Sequence, residues 1–417
     1  MAFMGLALVA CDDGGTAADP RQEGTLDQGA DAALQADAGT PDAGTPYAAA
    51  PDAEAPPPPD AGAPDGALPD EGVPVPTGQC GAGDVTGWLY LDEEHPDETA
   101  RAADRAPTDP PVTEPFVVQT PMGEEAVTPC DDGSYAISDL PEGPALVVPP
   151  TLEGQRCTGR NCTHSFAAAV ASGHAVMVVL GDSIPVIGDR PLFPDRLVTL
   201  FDGLVDIENR NVAVAGSTSP QWLPGQRNFD QRLAPVMADA DLIIISIGGN
   251  DILEYISNPA LLANIPAAVE GAKALVATIV ERVVTIVQAI RAVNPGVDVV
   301  YCLYPDYTQA TTHQLWGLAG RLLGAGTMRD VLETALLAVP ETADSDILIA
   351  DMLHGWEGLD VGLLLYDTLH FNAAGQTLYA EEIFETLGGV RFGPSPFGEL
   401  GHTPLGDHHD YGYAPLP

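Results

Sequence analysis

The part of the chain from residue 175 to about residue 390 alternates apolar, strand-like runs with helical segments, and this pattern limits the fold more than any other feature. Residues 175–180 form a continuous apolar run, as expected for a strand that is covered on both faces. Four more strands are predicted at 211–215, 242–247, 297–303 and 347–350, and long helices at about 266–293 and 373–387. Alternating strands and helices predict a parallel sheet with helices on both faces.

Four short segments near the ends of these runs carry the residue types that acyl transfer requires. They are Gly181-Asp182-Ser183, the loop with Gly216, Gly248-Gly249-Asn250-Asp251, and Asp367-Thr368-Leu369-His370. In an open α/β sheet, ligands bind beyond the carboxyl ends of the strands, so a nucleophile is expected there. Together the segments supply a nucleophile, oxyanion-stabilising donors, a base and an acid that orients the base.

Each segment alone also has an ordinary structural explanation. Ser183 could cap a helix that we expect directly after it, and the segment around Asn250 could be a turn. An Asp and a His three residues apart, as at Asp367 and His370, could be surface residues or metal ligands. Asp351 is a weaker candidate for orienting the histidine. The occurrence of all four segments in one order favours the catalytic interpretation.

This set of segments resembles the SGNH/GDSL family of serine esterases, which is named after the Ser, Gly, Asn and His of such blocks. The resemblance covers residues 175–392 and implies a five-stranded parallel, flavodoxin-like sheet. It implies a catalytic triad of Ser183, His370 and Asp367. It also implies an oxyanion hole formed by the backbone amides of Ser183 and Gly216 and the side chain of Asn250. In this interpretation Asp251 braces its loop, and neither a cofactor nor a metal is required.

The first eleven residues resemble the signal peptide of a bacterial lipoprotein. An apolar run ends in Leu8-Val9-Ala10-Cys11, which is similar to a lipobox, although no Lys or Arg precedes it. The resemblance implies lipidation of Cys11, membrane attachment through that lipid, and an exported location in the cell envelope, periplasmic or at the cell surface.

Residues 12–78 are rich in Ala, Pro, Asp and Gly and contain almost no large apolar side chain. Such a segment cannot offset the entropy of ordering, so we expect a disordered acidic linker. The formal net charge of the chain is −44, which would repel nucleic acid and excludes it as a partner.

Residues 79–150 contain short alternating runs separated by turns, which predict a small all-β module. This pattern over residues 79–150, particularly the stretch 132–148, resembles the carboxypeptidase regulatory-like β-sandwich. A packing role is the first expectation for the module and carbohydrate binding the second. Residues 151–174 are expected to be a connector, and residues 393–417 a surface extension. His402, His408 and His409 are expected to be exposed in a flexible tail, and a metal site formed by them is the alternative.

The cysteines other than Cys11 fall into two groups. Cys302 lies in an apolar run, which predicts a buried free thiol. Cys80, Cys130, Cys157 and Cys162 allow three disulfide pairings, of which we expect Cys80 with Cys130 and Cys157 with Cys162. Disulfides would agree with an exported protein.

The sequence therefore predicts an exported serine esterase with an ester substrate. An acetylesterase acting on carbohydrate or peptidoglycan is the first expectation. A lipase acting on lipid esters is an alternative, with Trp222, Trp316 and the Leu-Leu-Gly-Ala-Gly stretch at 322–326 as a candidate acyl pocket. A non-catalytic cell-surface binding protein is a further alternative, and the sequence leaves the oligomeric state open.

Overall fold

The computed structural model describes residues 85–91, 110–137, 140–153, 155–158, 161–323, 326–341, 347–402 and 408–415. The lipobox with Cys11, the linker at 12–78 and Cys80 lie outside these ranges. None of the helices in the described ranges combines the length and the apolar character that a bilayer span requires.

The described ranges contain strands from three sheets. Their bounds are β1 Val85–Leu91, β2 Phe116–Thr120, β3 Gly123–Val127, β4 Ser134–Ile137, β5 Gly143–Val148, β6 Gln155–Thr158, β7 His174–Gly181, β8 Asp206–Asn211, β9 Leu242–Ser246, β10 Asp298–Cys302, β11 Ile347–Ala350, β12 Gly389–Phe392 and β13 His408–Pro415.

The α-helices are found between and after the strands of the central sheet, with one just before it. Their bounds are α1 Ser165–Ser172, α2 Phe193–Leu200, α3 Gly249–Ile256, α4 Ile265–Arg291, α5 Gln314–Leu323, α6 Thr327–Glu341, α7 Met352–Gly355 and α8 Ala373–Thr386.

The central sheet has five parallel strands in the order β11-β10-β9-β7-β8, and this confirms the predicted fold class. Successive side chains of β7 point to opposite faces of the sheet. Met177 and Val179 belong to a buried cluster with side chains of α1, α2 and α8, whereas Val178 and Leu180 pack with side chains of α4. The two apolar faces explain why the run at 175–180 is apolar throughout.

Two local predictions in this region were wrong. The second strand is β8, at Asp206–Asn211, and not 211–215. It was missed because β8 lies at the edge of the sheet, where its polar sequence DIENRN remains partly exposed. The helix expected directly after Ser183 is also absent, since a turn follows and α2 begins only at Phe193.

The remaining strands form two four-stranded sheets, in the orders β4-β1-β13-β6 and β12-β5-β2-β3. Strand β13 lies within the stretch 393–417, which the sequence suggested to be a surface extension, and it pairs in parallel with β1. Its sequence HHDYGYAP has no apolar run from which a strand could be predicted. The aromatic residues of β1 and β4, which are Trp88, Tyr90 and Tyr135, are all buried and offer no exposed ring to a sugar.

The two four-stranded sheets share one hydrophobic core with the helices on one face of the central sheet. Leu146 of β5, Phe384 of α8 and Val390 of β12 belong to the same buried cluster. The amide of Gln119 in β2 donates to the carbonyl oxygen of Ala167 in α1 at 3.2 Å. These layers are therefore expected to unfold together.

Two further contacts fix the chain around this core. A disulfide joins Cys157 to Cys162, as predicted, and Cys302 is a buried free thiol. Cys130 is also in a disulfide, and its predicted partner Cys80 lies outside the described residues. His402 is exposed, as expected, but its backbone amide is anchored, because it donates to the buried carboxylate of Glu381 in α8 at 3.0 Å.

Substitution of Val390 tests the shared core. Val390 is fully buried, so Val390→Asp places an unpaired carboxyl group among apolar side chains and should lower the free energy of unfolding by about 3–5 kcal/mol. Met122→Asp is the control, since Met122 is 84% exposed on the turn between β2 and β3. Calorimetry should show one transition that moves to lower temperature only in Val390→Asp. Two separate transitions, with only one of them shifted, would contradict a shared core.

Candidate active site

Ser183 lies just beyond the carboxyl end of β7, which pairs with the central strand β9 on one side and the edge strand β8 on the other. The strand ends at Gly181, where a Cβ atom would collide with the carbonyl oxygen of Ser246 in the neighbouring strand β9. The amide of Asp182 donates to that same oxygen at 3.0 Å. Glycine at position 181 thus allows the close approach of the two strands, and the chain turns out of the sheet with Ser183 at its end.

The Asp182 side chain is buried beside Ser183. Its Oδ1 accepts from the amide of Ile184 at 3.1 Å, and its Oδ2 accepts from the hydroxyl of Tyr304 at 2.5 Å. Burial raises the pKa of Asp182 from the ordinary 3.8 to about 6, although the Tyr304 and Ile184 donors and the nearby His370 lower it. Asp182 therefore fixes the turn that holds Ser183. Above about pH 6 its carboxyl group is charged while buried, which lowers the stability of the fold.

The loops with Gly216 and Asn250 lie on either side of this turn. The chain after β8 stays beside β7, because the amide of Val214 donates to the carbonyl of Gly181 at 3.0 Å. Gly216 then takes a positive φ of 76°, which favours glycine. From the start of α3, the Asn250 side-chain amide donates to the carbonyl of Ser217 at 3.0 Å. One bond thus joins the two loops that carry the predicted oxyanion donors.

An ion pair reinforces the same junction. The buried carboxylate of Asp251 accepts from the backbone amide of Ser219 at 2.8 Å and from its hydroxyl at 2.7 Å. Arg282 of α4 reaches both partners, with Nη1 at 3.0 Å from the Ser219 hydroxyl and 3.2 Å from the Asp251 carboxylate. Asp251 therefore braces the loop, as expected, and Ser219 is a structural residue of the turn.

Asp367 and His370 form a hydrogen-bonded pair. The ring Nδ1 of His370 lies 2.7 Å from Oδ2 of Asp367, and the backbone amides of Leu369 and His370 both donate to Oδ1 at 2.8 Å. Partial burial raises the pKa of Asp367, but these three donors and the charge of His370 outweigh it and lower the pKa to about 2. The Nε2 atom of His370 is buried and has no hydrogen-bond partner among the described residues.

A second Asp and His pair has the same spacing but a different environment. His354 Nδ1 lies 2.7 Å from Asp351, and its Nε2 lies 3.3 Å from the carboxylate of Glu333 in α6. Both ring nitrogens of His354 are thus engaged, so this pair fastens α7 to α6. Asp351 orients His354 and does not compete with Asp367 for His370.

Ser183, Asn250 and Asp182 line one cleft, whose other walls are mainly apolar. The apolar lining comes from the turn after Ser183, from α3, from α5 and α6, and from the loop before His370: Ile184, Ile252, Leu253, Ile256, Trp316, Met328, Leu332 and Leu369. Trp316 therefore lines the cleft, as one prediction had it. Trp222 does not, because it is fully buried and donates to the hydroxyl of Ser217 at 2.9 Å. Part of the stretch 322–326 lies outside the described residues.

Sequence reasoning missed three residues around this site. Tyr304 and Tyr307 follow β10 and line the cleft, and Arg282 comes from the middle of α4. The strand-end rule could have pointed to Tyr304, which lies two residues after β10. Nothing in the sequence around Arg282 distinguishes it from the other charged residues of α4.

The sequence of this region matches one family model. Residues 179–378 match the model of the GDSL-like Lipase/Acylhydrolase family. No curated protein sequence matches the chain.

Several solved structures are similar to this chain. The extracellular lipase of Streptomyces rimosus is 18% identical, with 51% of this chain and 99% of that chain covered and a TM-score of 0.41. Phospholipase A1 of Streptomyces albidoflavus is 20% identical, with 51% and 99% covered and a TM-score of 0.39. A two-domain esterase active on acetylated mannans is 15% identical, with 55% and 53% covered and a TM-score of 0.33.

The two carboxyl groups of the site should affect stability in opposite directions. The raised pKa of Asp182 contributes stability below pH 3.8 that is lost as the pH rises through about 6. The free energy of unfolding of Asp182→Asn, relative to that of the unsubstituted protein, should therefore rise by about 3 kcal/mol as the pH is raised from about 4 to about 8. Urea unfolding of both proteins over this range measures the difference.

Asp367→Asn is the matched control for this experiment. The pKa of Asp367 is lowered, so its carboxylate stabilises the fold above pH 3.8 and this stability is lost as the pH falls through about 2. Asp367→Asn should consequently show no gain at high pH. The same pH dependence in both variants would refute the assignment of opposite environments.

Proposed function

We propose that the GDSL-like lipase/acylhydrolase domain at residues 179–378, an ester-hydrolysing enzyme domain, uses Ser183 as its nucleophile. The Ser183 hydroxyl attacks the carbonyl carbon of a carboxylic ester while Nε2 of His370 takes its proton. A bond forms between Oγ and carbon, and the carbonyl oxygen becomes an oxyanion. Asp367 orients the imidazole and stabilises its charged form.

The hydrogen bonding of the His370 ring is the main support for this proposal. Its Nδ1 is held by a carboxylate whose pKa is lowered to about 2, so the acceptor remains charged at any pH at which an esterase works. Its Nε2 is buried and free of protein partners among the described residues. A histidine held in this way is oriented and available for proton transfer, whereas His354 is engaged at both nitrogens.

The oxyanion would be stabilised by donors from two loops. The backbone amide of Gly216 and the side-chain amide of Asn250 are the proposed donors, together with the amide of Ser183. Asn250 uses one N–H for the carbonyl of Ser217, which leaves its second N–H for the substrate. A donor of this kind typically contributes roughly a hundredfold to a thousandfold in rate.

In the second half of the reaction both products leave and Ser183 returns to its free form. The tetrahedral intermediate collapses, the bond to the leaving alkoxide breaks, and the imidazolium of His370 gives the alcohol its proton. Water then loses a proton to His370 and attacks the acyl carbon bound to Ser183. When the second tetrahedral intermediate collapses, the bond between Oγ and carbon breaks, the imidazolium of His370 returns its proton to the Ser183 oxygen, and the carboxylic acid is released. No cofactor or metal is needed for this balance.

The lining of the cleft supports an ester with an apolar acyl chain longer than acetyl. Each methylene group that such a chain buries contributes about 0.8 kcal/mol, and an acetyl group offers only a methyl to the eight apolar side chains of the walls. A lipid ester, or another ester of a medium-length fatty acid, fits this lining best. An acetylesterase acting on carbohydrate or peptidoglycan is the alternative, and would need its polar partner to bind outside these walls.

We also propose that the protein is exported and held at the cell envelope by lipid on Cys11. The Leu-Val-Ala-Cys ending of the first apolar run supports this, since it is similar to a lipobox. The Cys157–Cys162 disulfide supports an oxidising location.

The triad and the acyl preference are tested with one set of substrates. The full chain should hydrolyse p-nitrophenyl octanoate with a higher kcat/KM than the butyrate, and the butyrate better than the acetate. Ser183→Ala should lower kcat by roughly a million-fold, because the covalent step is lost. Ser172→Ala, which changes an exposed serine at the end of α1, is the matched control and should keep full activity.

The chain-length profile decides between the candidate substrates. Preference for the acetate would favour an acetylesterase over the lipid esterase. Turnover that survives in Ser183→Ala would disprove the proposed nucleophile. Absence of Ser183-dependent reaction with any ester, together with no labelling of Ser183 by a phosphonate, would favour a non-catalytic binding protein.

The anchor is tested by metabolic labelling. In a bacterial host, the full chain should incorporate labelled palmitate and collect in the membrane fraction, and Cys11→Ala should abolish both. Cys302→Ala removes the buried thiol and serves as the control, with labelling retained. Palmitate incorporation into Cys11→Ala would show that another group is the anchor.

A further inference from the structure

The loop that carries His370 is held from outside by two aromatic side chains. Within the loop, the Asp367 carboxylate accepts from the backbone amides of Leu369 and His370. The indole Nε1 of Trp316 donates to the carbonyl of Thr368 at 2.6 Å. The hydroxyl of Tyr307 donates to the carbonyl of Leu369 at 2.9 Å.

The same two aromatic side chains are walls of the cleft. Tyr307 and Trp316 both line it beside Leu369, and their ring centroids lie 5.2 Å apart. Tyr307 also stacks on Phe371, the residue after His370, with 6.2 Å between the ring centroids and 12° between the planes. Burial raises the pKa of Tyr307, so its hydroxyl stays a donor throughout the working range.

We propose that Tyr307 and Trp316 are positioning residues for His370, which they hold in register with Ser183 through the carbonyls of Leu369 and Thr368. The inference deepens the proposed function and rests on it, since His370 is taken to be the base. A general base must lie within hydrogen-bond reach of the proton that it removes. The wall of the acyl cleft and the placement of the base therefore depend on the same two side chains.

Both donors come from one buried segment of the chain, which lies between β10 and β11. Trp316 lies on α5 and Tyr307 on the short 3-10 helix after β10, so the segment between β10 and β11 both covers the cleft and holds the loop. The pair is buried, with Trp316 7% and Tyr307 9% exposed, and water does not compete freely for the two carbonyls. Loss of either donor leaves only one of these two side-chain bonds to the carbonyls of Thr368 and Leu369.

Tyr307→Phe is the sharpest test, because it keeps the ring in the wall and removes only the hydroxyl. With p-nitrophenyl butyrate we expect kcat to fall about tenfold while KM stays within about twofold. Tyr255→Phe is the matched control. It also deletes a tyrosine hydroxyl that donates to a backbone carbonyl, that of Ala268 at 2.9 Å, but Tyr255 does not line the cleft.

A phosphonate probe provides a readout that does not use the acyl cleft. Ethyl p-nitrophenyl methylphosphonate forms a bond between Ser183 Oγ and phosphorus and releases p-nitrophenolate, and the serine proton passes to His370. The rate constant of this labelling should fall in Tyr307→Phe and in Trp316→Phe by about the same factor as kcat. Purely structural damage would lower the melting temperature and the active fraction without changing the rate constant of the folded molecules.

The outcomes separate this inference from the proposed function. Ser183-dependent turnover with a lowered kcat and a lowered labelling rate in Tyr307→Phe supports the positioning role. If Tyr307→Phe matches Tyr255→Phe in both rates while Ser183→Ala is inactive, the positioning role is refuted and the esterase stands. If Ser183→Ala keeps its activity, the proposed nucleophile itself fails.

Discussion

The pairing of β7 with β9 is the constraint on which the site depends. At Gly181 and Ser246 the two strands approach so closely that only glycine fits, and both then leave the sheet at the same edge. The turn with Ser183 and the helix start with Asn250 therefore emerge side by side. A larger residue at position 181 would separate the strands and with them Ser183 and Asn250, the proposed nucleophile and oxyanion donor.

The site keeps two carboxyl groups in opposite environments, and each environment matches a different task. Asp367 is partly exposed and receives three hydrogen bonds, so it remains an anion that can orient His370. Asp182 is buried with only two donors, so its charge is costly, yet the same bonds fix the turn of Ser183. Part of the stability of the fold is thus given up at the turn that holds Ser183, the proposed nucleophile.

The sequence predicted the elements that have a periodic apolar pattern and the polar residues at strand ends. It did not predict a polar edge strand or contacts between residues far apart in the chain. Four of the five central strands and the helices α4 and α8 followed from apolar patterns, and the Asp367–His370 pair followed from spacing. Strand β8 is polar because it lies at the edge of the sheet. Strand β13 follows α8 but pairs with β1, which lies more than 300 positions earlier in the chain. Arg282 reaches Asp251 across 31 positions, and no local pattern marks such a contact.

In the proposed function, the segment between β10 and β11 contributes both to acyl binding and to the placement of His370. It supplies Trp316, Met328 and Leu332 to the cleft, and the first of these also bonds the loop of His370. A substitution chosen to widen the acyl cleft at position 316 would therefore also release the carbonyl of Thr368. Changes at Met328 or Leu332, which contribute only apolar wall, should alter chain-length preference without disturbing the base. If the proposed function holds, acyl specificity and catalytic rate should be separable at α6 but linked at α5.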